Sequence, residues 1–278
     1  MKTLLIPVDF SGTSSNVLKY AAEFSRDTAV ERIILLNNYY LSIYEQLLPS
    51  ADFVQMSADT INEERQKIDE RLKSISRKLA KKCGPSIKIE TAVSDLPLLR
   101  AIHQLIAQQK PHMLMIGSDN NRDESYIGEQ VITIAKTSKV PVLIVPAHAK
   151  YKKIKLALVP CDFNAVSRLA LLTEIRSSNQ WLCPPELIVL NVDPKQAYLA
   201  HQEENLQALK EILESYQYQV YYSEDRDIAH GILDFANKHH AQLIIALPGN
   251  YSFFRNLTHR SITNALELNA NQPVLILK

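Results

Sequence analysis

Apolar positions along the chain gather into short dense runs separated by longer amphipathic stretches. Thr3–Val8, Arg32–Asn37, Ser86–Ala92, Met113–Gly117 and Val140–Val145 are compact and rich in β-branched or apolar residues. Several are apolar at successive positions, the pattern of strands buried on both faces of a parallel sheet. Between them, Ser14–Arg26, Ala58–Lys82, Leu96–Gln109 and Gly128–Thr137 read as helices. The longest places Ile61, Ile68, Leu72, Ile75 and Leu79 at spacings of seven, four, three and four, an apolar stripe on an otherwise solvated face. A second series of strands is predicted at Lys155–Pro160, Glu186–Asn191, Gln217–Ser223, Ala241–Leu247 and Pro273–Leu277. Strands alternating with helices imply parallel pairing by right-handed crossovers, and so a doubly wound α/β sheet.

The two series look like copies. Leu4-Leu5-Ile6-Pro7-Val8-Asp9-Phe10 returns as Ala157-Leu158-Val159-Pro160-Cys161-Asp162-Phe163, and Ser14 and Leu18 return at the same offset of 153 as Ser167 and Leu171. Pro141-Val142-Leu143-Ile144 returns as Pro273-Val274-Leu275-Ile276 at an offset of 132, so the second copy is 21 residues shorter inside. A shared opening and closing indicates a duplicated domain, not a solenoid with repeats of roughly 20–50 residues. The predicted domains are 1–147 and 152–278. The junction carries Lys150, Lys152 and Lys153, which read either as a solvated connection or as an anion-binding patch. The additional residues of the first copy fall mostly within Tyr39–Asp59, a stretch made apolar by Tyr39, Tyr40, Tyr44, Leu47, Leu48, Phe53 and Val54. It reads as a lid on its own domain, or as a surface that covers a ligand or meets a partner.

Composition narrows the class. The chain has 278 residues, 46% hydrophobic and 22% charged, enough apolar material for two soluble domains. Residues 1–147 carry 18 basic and 17 acidic side chains and residues 148–278 carry 13 of each, so neither half has the excess charge that a nucleic acid or a membrane surface calls for. The cysteines Cys83, Cys161 and Cys183 form no C-x-x-C pair, which fits a reducing compartment without a disulfide framework or zinc site. The apolar stretch after Lys2 meets Asp9 too soon for a signal peptide, and no run approaches the ~18 apolar residues of a membrane span. The expected location is cytoplasmic.

Val8-Asp9-Phe10-Ser11, Leu35-Leu36-Asn37, Met115-Ile116-Gly117 and Val140-Pro141-Val142-Leu143-Ile144-Val145 together resemble the universal stress protein family. His259-Arg260-Ser261 looks like a variant common in its bacterial tandem members. The resemblance covers nearly the whole chain as two tandem, Rossmann-like domains of the adenine nucleotide alpha hydrolase type. It implies that the last strands pair across the domain interface as an internal pseudo-dimer, and further homodimerisation is consistent with it. Many members bind ATP; others do not, and are thought to act as signalling or dimerising scaffolds.

The family's nucleotide site maps as follows. Its aspartate after the first strand, which accepts from the adenine amino group, matches Asp9 and Asp162. Its hydrophobic residue after the second strand matches Val192, whereas Asn38 departs. Its phosphate loop, Gly-x2-Gly-x9-Gly followed by Ser or Thr, relies on glycines for backbone approach and on a helix N-terminus for the anion. In the first domain Gly117 and Gly128 fit the outer glycines, but Asn120 holds the second place and Glu129 stands where a hydroxyl belongs. Asp119, Asp123 and Glu124 add negative charge, and two unit charges ~4 Å apart repel by about 1 kcal/mol even in water. In the second domain Ala246 is read as replacing the first glycine, Gly249 as matching the second, and Arg260 as replacing the third, with Ser261 keeping the hydroxyl and one residue too many between. His259, Arg260 and nearby Arg255 make an anion site or a plain surface, and Asp162 is an adenine contact or a helix cap.

Other chemistry finds little support. Ser11-Gly12-Thr13-Ser14 reads better as an N-cap and first helical turn than as a phosphate-cradling loop. Cys161 beside Asp162 reads as an inert buried thiol. His239-His240 has no metal-binding spacing, and no Gly-x-Ser-x-Gly elbow occurs. Lone Trp181 reads as packing at a turn. The expected protein is a non-enzymatic stress-response scaffold with degenerate nucleotide sites. The alternative is a sensor of ATP or another adenine nucleotide working mainly through Asp162, Val192, Gly249, Arg260 and Ser261. A weak ATP hydrolase ranks last, because no residue stands out as a base for water.

Overall fold

The computed structural model describes residues 1–39, 58–118, 126–173, 184–193, 202–247 and 272–278. In the first half the elements run β1 (Thr3–Pro7), α1 (Gly12–Asp27), β2 (Arg32–Asn38), α2 (Ala58–Cys83), β3 (Lys88–Ser94), α3 (Leu98–Gln109), β4 (Met113–Ser118), α4 (Tyr126–Thr137) and β5 (Val142–Pro146). In the second they run β6 (Leu156–Pro160), a 3-10 helix (Phe163–Leu169), β7 (Glu186–Val192), α5 (Gln202–Ile212), β8 (Gln217–Ser223), α6 (Ile228–Lys238), β9 (Leu243–Ala246) and β10 (Val274–Ile276). Each predicted strand is present, with ends displaced by a residue or two.

All ten strands form one sheet in the order β3-β2-β1-β4-β5-β10-β9-β6-β7-β8. Within each half every pairing is parallel. At the centre β10 runs antiparallel to β5, with Val274 opposite Ile144 and Ile276 opposite Val142. These are the terminal strands expected to pair. Their antiparallel contact points the carboxyl ends of the two sets of strands toward opposite edges of the sheet.

Helices cover both faces because the strands are apolar on both sides. One face buries Val17, Phe24, Leu72 and Leu79 of α1 and α2 together with Val166 and Leu209 of the second half. The other buries Leu98, Ile102, Val131, Ile134, Ile232 and Ala236 from α3, α4 and α6. The predicted stripe of α2 thus faces the sheet through Leu72 and Leu79, while Ile75 packs at its margin. α2 stops at Gly84, whose φ of 95° and N–H bond to the Ala80 carbonyl (3.1 Å) make a left-handed C-terminal cap that suits glycine.

The junction between halves is fastened to α1. Asn16 Nδ2 donates to the carbonyls of Pro146 (3.1 Å) and Ala149 (3.0 Å). Tyr151 stands edge-on to Tyr20 at 5.2 Å and donates its hydroxyl to Asp27 Oδ2 at 2.9 Å. Burial pushes the phenol pKa of both tyrosines up.

Two expectations need comment. The helix expected after β6, by analogy with α1, begins as the 3-10 helix Phe163–Leu169. Of the apolar stretch 39–59, Tyr39 is fixed by its N–H to the Ser94 carbonyl (2.7 Å), and α2 begins at Ala58. Residues 40–57 lie outside the described residues, as do Trp181 and Cys183.

Candidate functional site

In open α/β sheets ligands settle beyond the carboxyl ends of the strands, where strand order reverses. Here those places are the β1/β4 boundary in the first half and the β6/β9 boundary in the second. Asp9 and Asp162 each follow their strand by two residues, and Val192 ends β7, so all three stand at carboxyl edges. Both aspartates are half-buried.

Asp9 is already engaged. Ser11 donates to Asp9 Oδ1 through its backbone N–H (3.0 Å) and its hydroxyl (2.6 Å), and the Ser14 hydroxyl donates to the same oxygen. The Ser11 hydroxyl in turn accepts from the Ser14 N–H (3.1 Å), capping α1. Ser11-Gly12-Thr13-Ser14 is therefore a helix start, with the carboxylate at its positive end. Phe10 takes a left-handed φ of 65°, unusual for an aromatic residue, and the Arg71 guanidinium of α2 lies 4.2 Å from its ring centre.

One pair of residues recurs in both halves and escaped sequence reasoning as a structural device. Asn37 Nδ2 donates to the Val8 carbonyl (2.7 Å), and Asn191 Nδ2 donates to the Cys161 carbonyl (2.9 Å). Both asparagines are only 5% exposed, and among the described residues the Oδ1 of each has no hydrogen-bond partner. They clamp the residue just before Asp9 and Asp162, fixing where each carboxylate emerges. The signal was the asparagine that ends both Leu-Leu-Asn and its counterpart Val189-Leu190-Asn191.

Strand register revises the glycine assignments. β1 pairs β4 with Leu4 opposite Met113, and β6 pairs β9 with Ala157 opposite Leu243. Because Leu4 corresponds to Ala157, Met113 corresponds to Leu243 and Gly117 to Leu247. The terminal strands agree, since Leu114 faces Val142 as Ile244 faces Val274. Ala246 points into the opposite core with Ile244, so it is not the counterpart of Gly117. Counting on from Leu247 puts Asn250 at the second glycine place and Gly249 one short of it. The count also brings Arg260 and Ser261 to the family spacing without the additional residue.

Gly117 is required by packing. A Cβ there would lie 2.4 Å from Thr13 Cγ2 and 2.9 Å from Val17 Cγ2, so α1 rests directly on β4. At the same register position Leu247 is 3% exposed and joins the core on that face. Leu247 shares that core with Phe163, Val166 and Leu169 of the 3-10 segment that follows β6. Gly128 lies in the first turn of α4. Gly249, Asn250, Arg260 and Ser261, like Asp119 to Glu124, lie outside the described residues.

Next to Val192 stands a dyad that sequence reasoning missed. His230 Nδ1 and Asp225 Oδ2 are 2.7 Å apart, and a Cβ on Gly231 would lie 2.9 Å from Asp225 Cβ and 3.2 Å from Val192 Cγ1. The hydrogen bond from His230 and the Asp227 N–H lower the Asp225 pKa, and the Asp225 carboxylate raises that of His230. Asp227 caps α6 by accepting from the Ala229 and His230 N–H groups. Cys161 is buried, and burial first, then Asp162, pushes its thiol up to about 12, which makes it a poor nucleophile. Among the described residues no three His, Cys, Asp or Glu side chains form a metal-holding group, and no helix is long and apolar enough to cross a membrane.

The architecture is a doubly wound, Rossmann-like α/β sheet with its candidate sites at the carboxyl edges. The sequence model of the universal stress protein family matches residues 1–146, more than half of the chain, and the chain belongs to that family. No curated protein matches it. Among solved structures it is similar to a universal stress protein from Archaeoglobus fulgidus DSM 4304, at 20% identity and a TM-score of 0.62, covering 99% of this chain and 96% of that one. It is also similar to a functionally unknown protein from Pseudomonas aeruginosa PAO1 (12% identity, TM-score 0.52, 100% and 92% covered). A third similar structure is the cytoplasmic domain of a prokaryotic cation chloride cotransporter (14% identity, TM-score 0.51, 99% and 94% covered). At these identities the likeness concerns the fold.

Proposed function

We propose that this protein is a non-enzymatic scaffold of the stress response, acting in the cytoplasm, in which domains 1–147 and 152–278 join as an internal pseudo-dimer and the nucleotide pockets have degenerated. The observation that carries this reading is Leu247, a buried leucine at the register position of Gly117. The glycine with which the first half opens its loop is in this half a leucine packed into the core. In the first half Asp9 Oδ1 is taken up in capping α1, which weighs in the same direction.

A second reading, a sensor of ATP or another adenine nucleotide, draws support from the second half. Asp162 and Val192 stand at its carboxyl edge, and the corrected count gives Arg260 and Ser261 the family spacing. Calorimetric titration with ATP and AMP, with and without magnesium, separates the two. The scaffold reading expects no saturable binding at millimolar nucleotide. Saturable binding abolished by Asp162→Ala and preserved in Asp9→Ala would replace it with the sensor.

A further inference from the structure

We propose that the seam between β1 and β4 is an acid-sensitive fastening, closed at its amino end by the imidazole of His112, and that the matching seam of the second half is not. The closing rung is a reciprocal pair. His112 donates its backbone N–H to the Thr3 carbonyl (2.9 Å), and the Thr3 N–H donates to His112 Nδ1 (3.3 Å). An imidazole nitrogen accepts only while it carries no proton. Protonation there would set one N–H against another. Thr3 is 3% exposed, so its N–H is badly placed to bond to water instead, and a buried donor without an acceptor is costly.

The second half builds the same rung with a different acceptor. Thr3 corresponds to Leu156 by the offset of 153, and His112 to Gln242 by the register of β4 and β9. Gln242 donates its backbone N–H to the Leu156 carbonyl (3.0 Å). Its Oε1 accepts from the N–H groups of Leu156 (2.9 Å) and Lys155 (3.0 Å). The bond from Gln242 Nε2 to the His240 carbonyl (2.5 Å) holds the amide in that orientation. An amide oxygen accepts at any pH the fold survives. The two seams therefore differ in one respect, a titratable acceptor in the first half and a permanent one in the second.

The surroundings keep His112 in its accepting form at neutral pH. Burial first, then the Met1 amino group and Lys2, lower its pKa from the ordinary 6.5, and Glu31 opposes them. Glu31 is itself engaged, by the Lys2 N–H (2.6 Å) and the Met1 amino group (3.5 Å). Arg32 at the start of β2 is paired with Glu90, and Lys110 before β4 and Lys139 before β5 are exposed cations. A base whose folded pKa is lowered contributes fully above its unfolded value, and the contribution is lost as pH falls through the folded one. The rung is thus closed above about pH 6.5 and opens on acidification. The Asp225–His230 pair of the other half runs in the opposite sense, because its histidine is raised. A readout local to each seam is needed.

Amide hydrogen exchange of the full-length protein, corrected for the intrinsic effect of pH, supplies it. From about pH 7.5 to about pH 5 the protection of Thr3 is expected to fall about fivefold or more, while that of Leu156 holds. His112→Gln, which copies the rung of the second half, is expected to make Thr3 protection independent of pH. Gln242→His is expected to carry the acid sensitivity over to Leu156. NMR titration of the His112 ring should give a pKa below 6.5. Thr3 protection that does not change with pH in the parent protein overturns the proposal. So does a loss that persists in His112→Gln, or a His112 ring that titrates at or above its ordinary value.

Discussion

At Gly117 the nearest atom of α1 would stand 2.4 Å from an added Cβ, well inside any real contact. The atom is a methyl group of Thr13, itself buried in the first turn of α1, so neither partner can swing aside. Gly117→Ala is therefore expected to cost about 1–3 kcal/mol of stability, the usual range for overfilling a packed core. Thr13→Ser removes that methyl group and keeps the hydroxyl, so the double variant should recover part of the loss. Urea unfolding midpoints measure both. A Gly117→Ala variant as stable as the parent would mean that α1 can retreat from β4, and the argument from Leu247 would lose its footing.

Among the elements, the loop leading into α6 has the clearest titration signature. Asp225 and His230 form an exposed pair in which the acid's pKa is lowered and the base's raised. The histidine's contribution is complete below its ordinary value of 6.5 and is lost as pH rises through its raised folded value. The aspartate's is complete above its ordinary value of 3.8 and is lost as pH falls through its lowered folded value. The pair is thus whole between about pH 4 and 6.5. Proton NMR of the His230 ring should show a raised pKa that returns toward 6.5 in Asp225→Asn. An unchanged titration in that variant would show that the pair does not persist in solution. Elements of this kind differ in how far the sequence reveals them. The strands were legible because burial on both faces writes a continuous apolar run, and the stripe Leu72–Leu79 was legible because a helix repeats. The 3-10 start after β6 was not. Ser167 and Leu171 match Ser14 and Leu18, which marks a helix start without distinguishing its type. The Asp225–His230 pair leaves no periodic trace, and the one-residue shift from Ala246 to Leu247 becomes visible only through strand register.

For the molecule as a whole, the junction of β5 with β10 makes one sheet of two parallel sets. The two flanks of the first half's five strands differ in their protection. On β3, Glu90 pairs with Arg32 and with Lys88, placing charge along an edge that would otherwise invite another strand. β5 has no such protection: all five of its residues are buried. A fragment ending at residue 147 would expose Val142, Leu143 and Ile144 along an unpaired edge, and is expected to dimerise through β5 in place of β10. Light scattering on the fragment should give twice its monomer mass. A well-behaved monomer would show that the edge is tolerated in water. The Asn37 and Asn191 clamps and the mirrored strand order recur in both halves, which differ at the register position of Gly117 and Leu247.

A covalent seam at β5 and β10 also changes what mutation can do. When two identical subunits meet across such an axis, every substitution is written into both at once, and a change that helps one pocket while harming its twin is lost. Here Leu247 could arise without touching Gly117. A single chain carrying both halves leaves the two ends of this sheet free to diverge while the shared seam of β5 and β10 stays the same.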